Sequence, residues 1–196
     1  MAAPKLILLP ADPSCPVVSS ERLAAELQAI GLIGPPARVN NETFYPTGEN
    51  FLQLISFLGC SPSIELQPPA DPLAVAADSA AGKFCHVFLS STDTLRFRSD
   101  LHASAPRCPQ CHTPVADWPS RLHAWQMDPE DSEWHCMQCL YTGDITRLGF
   151  RKSAGFGRNF VEIRGIYPSE AVPGEVLLNT LKSLTRGDWS TLYIKE

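Results

Sequence analysis

Long apolar runs are missing from this sequence. No stretch approaches the ~18 consecutive apolar residues that a membrane-spanning helix requires, so no membrane partner is expected. The opening MAAPKLILLP follows its lysine with only the apolar run Leu6 to Leu9, short of the ~7–15 residues of a signal-peptide core, which makes a cytoplasmic location the expectation. Charge is scarce as well, with 16 Lys and Arg against 21 Asp and Glu. A net charge of -5 beside 44% hydrophobic residues excludes disorder over most of the length. It also argues against a broad phosphate-binding surface.

The short signatures of common catalytic sites are lacking. Neither HExxH nor GxSxG occurs, and the glycines of GFG at Gly155 to Gly157 fit neither GxxxxGK nor GxGxxG. Cys60, in LGCSP, follows the end of an expected helix, where the macrodipole raises the pKa of a thiol and weakens it as a nucleophile. Cys85 and His86 are neighbours in an expected strand, so their side chains leave on opposite faces and cannot form a nucleophile–base pair. Both cysteines are expected to be buried structural thiols. No active site assembles from these residues, and enzymatic activity is not expected.

Proline, by contrast, is plentiful at 18 residues, which predicts many turns and short elements. Cysteine is present in an odd number, seven, and four of the seven fall into two CxxC pairs. That pattern suits metal ligation with reduced thiols better than a disulfide framework. Cys108-Pro-Gln-Cys111 and Cys136-Met-Gln-Cys139 are separated by residues 112–135. Two residues between the cysteines let the chain turn so that both sulfurs face one ion, and four such sulfurs close a tetrahedral shell. His112 and His135 flank the pairs and are expected to stay out of the shell, since four thiolates already fill it.

These residues resemble the zinc-ribbon family over positions 106–144: paired CxxC knuckles, proline after the first cysteine, and an aromatic residue, Trp134, shortly before the second pair. The sequence departs from that pattern at His112 and Leu140, which stand where a glycine often follows each knuckle. The resemblance implies knuckles at hairpin tips and one structural zinc ion per chain held by Cys108, Cys111, Cys136 and Cys139. Rubredoxin-type iron uses the same four sulfurs, but an electron-transfer role would leave most of the chain without a purpose.

Around this module the periodicities predict an α+β protein. Strands are expected over Lys5 to Leu9, within Arg38 to Tyr45, over Ser63 to Leu66, Phe84 to Leu89, Asn159 to Ile166 and Trp189 to Ile194. Leu95 and Phe97, after STDT, suggest a hairpin partner for the strand before them. Helices are expected from Ser20 to Ile30, over Phe51 to Leu58, and over Val176 to Leu184, with a long proline- and alanine-rich connection from Gln67 to Gly82. An internal echo pairs FYPTGENFLQLISFLGCSPSIEL with IYPSEAVPGEVLLNTLKSLTRGDWSTLYI, with Tyr45-Pro46 and Tyr167-Pro168 in matching places. The expected architecture is a small, mainly antiparallel sheet with helices packed on it, ferredoxin-like in its two βαβ halves, carrying the ribbon as an insertion. The expected divisions are 1–105, the ribbon at 106–144, and 145–196.

Charge partitions unevenly. From Cys108 to Asp144 a single cation, Arg121, faces six carboxylates, whereas from Ile145 to Arg164 five cations face only Glu162. Within the second stretch Arg147, Arg151, Lys152 and Arg158, interleaved with Phe150, Phe156 and Phe160, offer charge and stacking to nucleic acid. The preferred reading is nonetheless a non-enzymatic zinc-binding module that assembles with another protein, its Trp118, Trp125 and Trp134 serving as core or contact residues. A nucleic-acid-binding module using Arg147 to Arg164 is the first alternative, and an enzyme with an unrecognised site and a structural zinc is the second.

Overall fold

The computed structural model describes residues 4–39, 42–58, 64–67, 84–166 and 170–195. The chain opens with β1 (Lys5–Pro10), whose Leu6 to Leu9 are all buried. A strand of continuous apolar character belongs in the middle of a sheet, where both faces are covered, and β1 sits there. It is paired antiparallel with β10 (Trp189–Ile194) on one side and with β8 (Ala154–Arg164) on the other.

Beyond β8 come β5 (His86–Ser99), β3 (Glu42–Pro46) and β2 (Ala37–Val39), so the six-stranded sheet runs β10-β1-β8-β5-β3-β2. Every neighbouring pair is antiparallel. Consequently β1 and β5 run parallel on either side of β8, and β8 and β10 run parallel on either side of β1. These are two split βαβ units, the ferredoxin-like arrangement, with the β2–β3 hairpin added at one edge.

The connecting helices are α1 (Ser20–Ala29) and α4 (Glu175–Thr185). Ser19 caps α1 by accepting a hydrogen bond from the Arg22 amide at 3.3 Å, a contact of about 1 kcal/mol in such positions. Gly31 ends it with φ +74°, where a side chain would be strained and its Cβ would lie 2.7 Å from Asn50 Nδ2. Both helices place their apolar stripes, Leu23 and Leu27 on α1 and Leu177 and Leu181 on α4, against Leu6, Leu8, Val87, Val161 and Ile163 of the sheet. Each of these leucines is fully buried, and such burial is worth roughly 1.5–3 kcal/mol per side chain. Ile7, Leu9, Phe160, Leu192 and Ile194 form a smaller cluster of their own from alternate positions on the same strands, as the period of two requires.

Three sequence expectations change. The helix expected over Phe51 to Leu58 is the single turn α2 (Phe51–Leu54), because Ile55–Phe57 leaves it as β4 and pairs with β9 (Ala171–Pro173). The internal echo therefore aligns a one-turn helix with the three-turn α4, and α1 takes the part that the echo assigned to α2. The segment around STDT is no hairpin turn either. His86–Ser99 is one long strand, and its partner is β8, reached only after residues 100–153. Of the expected strand at Ser63 to Leu66, Glu65 makes a parallel bridge to Phe84. Ser63, Cys60, Tyr167-Pro168 and the connection from 68 to 82 lie outside the described residues.

Candidate metal centre

The β5–β8 hairpin carries the CxxC pairs within the segment that joins its two strands. There α3 (Trp118–Met127) and the short hairpin of β6 (Glu133–His135) and β7 (Thr142–Asp144) pack around a third hydrophobic cluster. Its members include Trp125, Trp134 and Ile145 from the inserted segment and Phe156 from β8, with Phe97 of β5 packed against them. Trp125 and Trp134 are thus core residues, and Trp118 is partly buried with its ring 5.3 Å from that of Phe150.

The two cysteine pairs are built alike. Cys108 to His112 turns between Arg107 and Pro114, which form an antiparallel bridge, and Cys136 to Leu140 turns at the end of the β6–β7 ladder. In the first, the His112 amide donates to the Cys108 carbonyl at 3.0 Å and the Cys108 amide to the Thr113 carbonyl at 3.0 Å. In the second, the Leu140 amide donates to the Cys136 carbonyl at 2.9 Å and the Cys136 amide to the Tyr141 carbonyl at 2.7 Å. His112 and Leu140 both adopt φ 60°, the left-handed conformation that glycine adopts freely and that costs other residues about 1–2 kcal/mol. The departure from glycine at these two positions leaves the turns intact.

These turns bring the four sulfurs together. The Sγ atoms of Cys108, Cys111, Cys136 and Cys139 all lie within 4.8 Å of one another, with Cys108 to Cys139 at 3.7 Å and Cys111 to Cys136 at 3.6 Å. A tetrahedral ion with sulfur ligands at ~2.3 Å sets its sulfurs about 3.8 Å apart, so the spacing fits such an ion. Hydrogen bonds from the Thr113 hydroxyl and amide hold the Cys111 thiol down to about 6. At Cys139 the Tyr141 amide favours the thiolate, but desolvation and the three neighbouring sulfurs prevail and raise it to about 12. Four sulfurs this close cannot all ionise without a cation among them.

Both flanking histidines stay outside the cluster. His135 is held by Thr142 Oγ1 at 2.9 Å from Nδ1 and by Glu133 at 3.2 Å from Nε2. His112 contributes its carbonyl to Arg107. Thr113 and Tyr141, which close the turns and touch the donors, were not singled out from the sequence. Their signal was available in the repeated spacing, each standing five residues after the first cysteine of its pair.

The basic residues scatter. Arg158 turns to the Pro13 carbonyl at 3.4 Å, and its buried Nε has no hydrogen-bond partner among the described residues. Arg164 lies 3.9 Å over the Phe88 ring and pairs with Glu162 at 2.7 Å. Arg147 reaches Asp12 at 3.4 Å, and Arg151 and Lys152 are exposed on one turn. Cys85 is buried in the main core, which pushes its thiol up to about 12, while His86 faces Phe44, Phe84 and Phe88. They point apart, as expected. Among the described residues no helix is long and apolar enough to cross a membrane. Comparison with known protein families, with curated proteins and with solved structures finds no match.

Proposed function

We propose that this chain is a zinc-binding, non-enzymatic protein in which a zinc ribbon closes the end of the long β5–β8 hairpin and presents a contact surface to another protein. The observation that carries the reading is the four-sulfur cluster, whose spacing suits a closed tetrahedral thiolate shell. Such a shell leaves no open position for water, so the ion is structural and adds folding energy to the small cluster around Trp125 and Trp134. Zinc is preferred to iron because paired CxxC knuckles closing a four-thiolate shell are a common structural zinc arrangement.

The contact surface is the second knuckle. Met137 is 82% exposed and Leu140 81% exposed, three residues apart on a turn that the metal would make rigid. Leucine in a left-handed position with its side chain in solvent gains nothing from the fold itself, whereas adaptable methionine and leucine side chains on a rigid turn suit a partner surface. Carboxylates at Asp128, Glu130, Asp131 and Glu133 lie nearby in the chain and favour a partner of basic character.

The test is quantitative capture from cell extract with the native chain and with a Met137→Ser, Leu140→Ser variant. A specific partner that the native chain retains and the variant loses, with zinc content equal in both, supports the reading. Equal retention by both places the partner elsewhere.

A further inference from the structure

We infer that the chain binds a small organic anion, one phosphate or carboxylate head on an apolar body, in the cavity beneath the segment Thr146–Lys152. This cavity measures about 520 Å³, within the roughly 300–1,000 Å³ of small-molecule sites. It lies away from the cysteines. Leu9 and Leu192 supply apolar wall and pack closely over Gly155, where a Cβ would sit 3.2 Å from Leu9 Cδ1 and 3.6 Å from Leu192 Cδ2. Trp189 and Phe156 border it, their rings packed in the main core and in the third cluster.

The segment that covers it behaves as a strap. The Tyr193 amide, on the free edge of β10, donates to the Lys152 carbonyl at 2.9 Å, and the Ser153 amide donates to the Phe150 carbonyl at 3.1 Å. Arg147, Arg151 and Lys152 all line the cavity from the strap, and no carboxylate is among the lining residues. Asp12 offsets part of the charge of Arg147 across 3.4 Å, which leaves Arg151 and Lys152 as the principal cations. Both stand at positive φ, 56° and 109°, where asparagine and glycine would sit with less strain. Long cations are thus held at strained positions on the rim of an apolar cavity.

The geometry also separates this ligand from a polynucleotide. A strand needs a row of cations along its backbone. Here Arg158 and Arg164 of the same basic stretch are engaged with Pro13, Glu162 and Phe88, so the cations left at the surface, Arg151 and a Lys152 that lies 5.8 Å over the Tyr193 ring, border one concave site the size of a single small molecule.

Phenyl phosphate is a suitable probe, with inorganic phosphate as the head alone and a ten-base single-stranded oligonucleotide as the polymer. Binding is read from amide and indole shifts in ¹⁵N-labelled full-length protein. Phenyl phosphate is expected to saturate, moving the Gly149 and Gly155 amides and the Trp189 indole, and to bind more tightly than inorganic phosphate. The double variant Arg151→Asn, Lys152→Gly removes two charges and relaxes both backbone positions. It should weaken phenyl phosphate at least about tenfold, as expected for losing charge-assisted contacts, with no fall in melting temperature. A Gly155→Ala variant, whose methyl presses on the Leu9 and Leu192 wall and keeps every charge, should weaken phenyl phosphate more than inorganic phosphate. Shifts that never saturate, equal affinity in the charge variant, or equal affinity for inorganic phosphate would overturn the proposal. So would tighter binding of the oligonucleotide with shifts extending to Arg158 and Arg164.

Discussion

Arg107, the residue immediately before the first cysteine of the cluster, forms an antiparallel β-bridge with Gly149 in the middle of the cationic strap. The cysteine cluster and the cavity are therefore joined through one backbone contact. The Ile145 amide adds a second tie by donating to the Ser132 carbonyl at 2.8 Å.

That relationship predicts a coupling between metal and anion. Removing the ion with a chelator should loosen the knuckle that holds Gly149, so phenyl phosphate affinity should fall several-fold and return when zinc is restored. Isothermal titration of the loaded and stripped protein measures it. Equal affinity in both would show that the sheet alone shapes the cavity.

Replacing Cys136 and Cys139 by serine should unfold the inserted segment and spare the body. The inserted segment shares its cluster with Phe97 and Phe156 at the far end of the β5–β8 hairpin, while α1, α4 and the inner strands pack in a separate one. Hydrogen exchange should therefore show lost protection over residues 100–153 and the adjoining ends of β5 and β8. Protection should persist in β1 and in the Val161–Ile163 part of β8. Loss of all cooperative unfolding would mean that the two clusters stand or fall together.

Leu140→Gly should stabilise the zinc-loaded protein. The leucine is 81% exposed and adopts φ 60°, so its removal forfeits little packing and releases left-handed strain. Set against the greater flexibility of glycine in the unfolded chain, the net gain is about 0.5–1 kcal/mol, seen as a raised melting temperature. A lowered melting temperature would show that the side chain packs within the protein.

Acid should weaken the fold through His86. Burial lowers its pKa to about 4, against an ordinary value of about 6.5. Between these values the unfolded chain takes up a proton that the folded chain refuses, so stability is full above about 6.5 and falls with pH until about 4. The loss is on the order of 3 kcal/mol for a shift of this size. A His86→Phe variant keeps the ring against Phe84 and cannot titrate. The variant lacks the His86 Nδ1 contact to the Phe84 carbonyl and starts less stable at pH 7, and its denaturation midpoint should approach that of the native chain as the pH falls to 4, with thiolate protonation common to both. Parallel curves from pH 7 to pH 4 would contradict this.

Much of this was legible in the sequence, for a physical reason in each case. The run Leu6 to Leu9 marks a central strand because only a strand covered on both faces is apolar throughout. The leucine stripes of α1 and α4 mark the helices, and the doubled CxxC marks the four-cysteine cluster. The rest depended on contacts distant in the chain. Ile55 to Phe57 carry helical periodicity, but pairing with Ala171–Pro173 draws them into a strand, a tertiary preference that no local window contains. Helix α3 was missed because its sequence WPSRLHAWQM has no clear apolar stripe, burying only Leu122 and Trp125. The basic stretch was visible as charge, yet which of its cations stay free was decided by Pro13, Glu162 and Phe88.

The central claim is that the four cysteines hold one zinc ion per chain, and elemental analysis of the purified full-length protein, beside the Cys136→Ser, Cys139→Ser variant, tests it most directly. One equivalent of zinc in the native chain, and a small fraction of that in the variant, is the predicted result. Less than about half an equivalent in the native chain, a red iron chromophore, or equal zinc in the variant would contradict it.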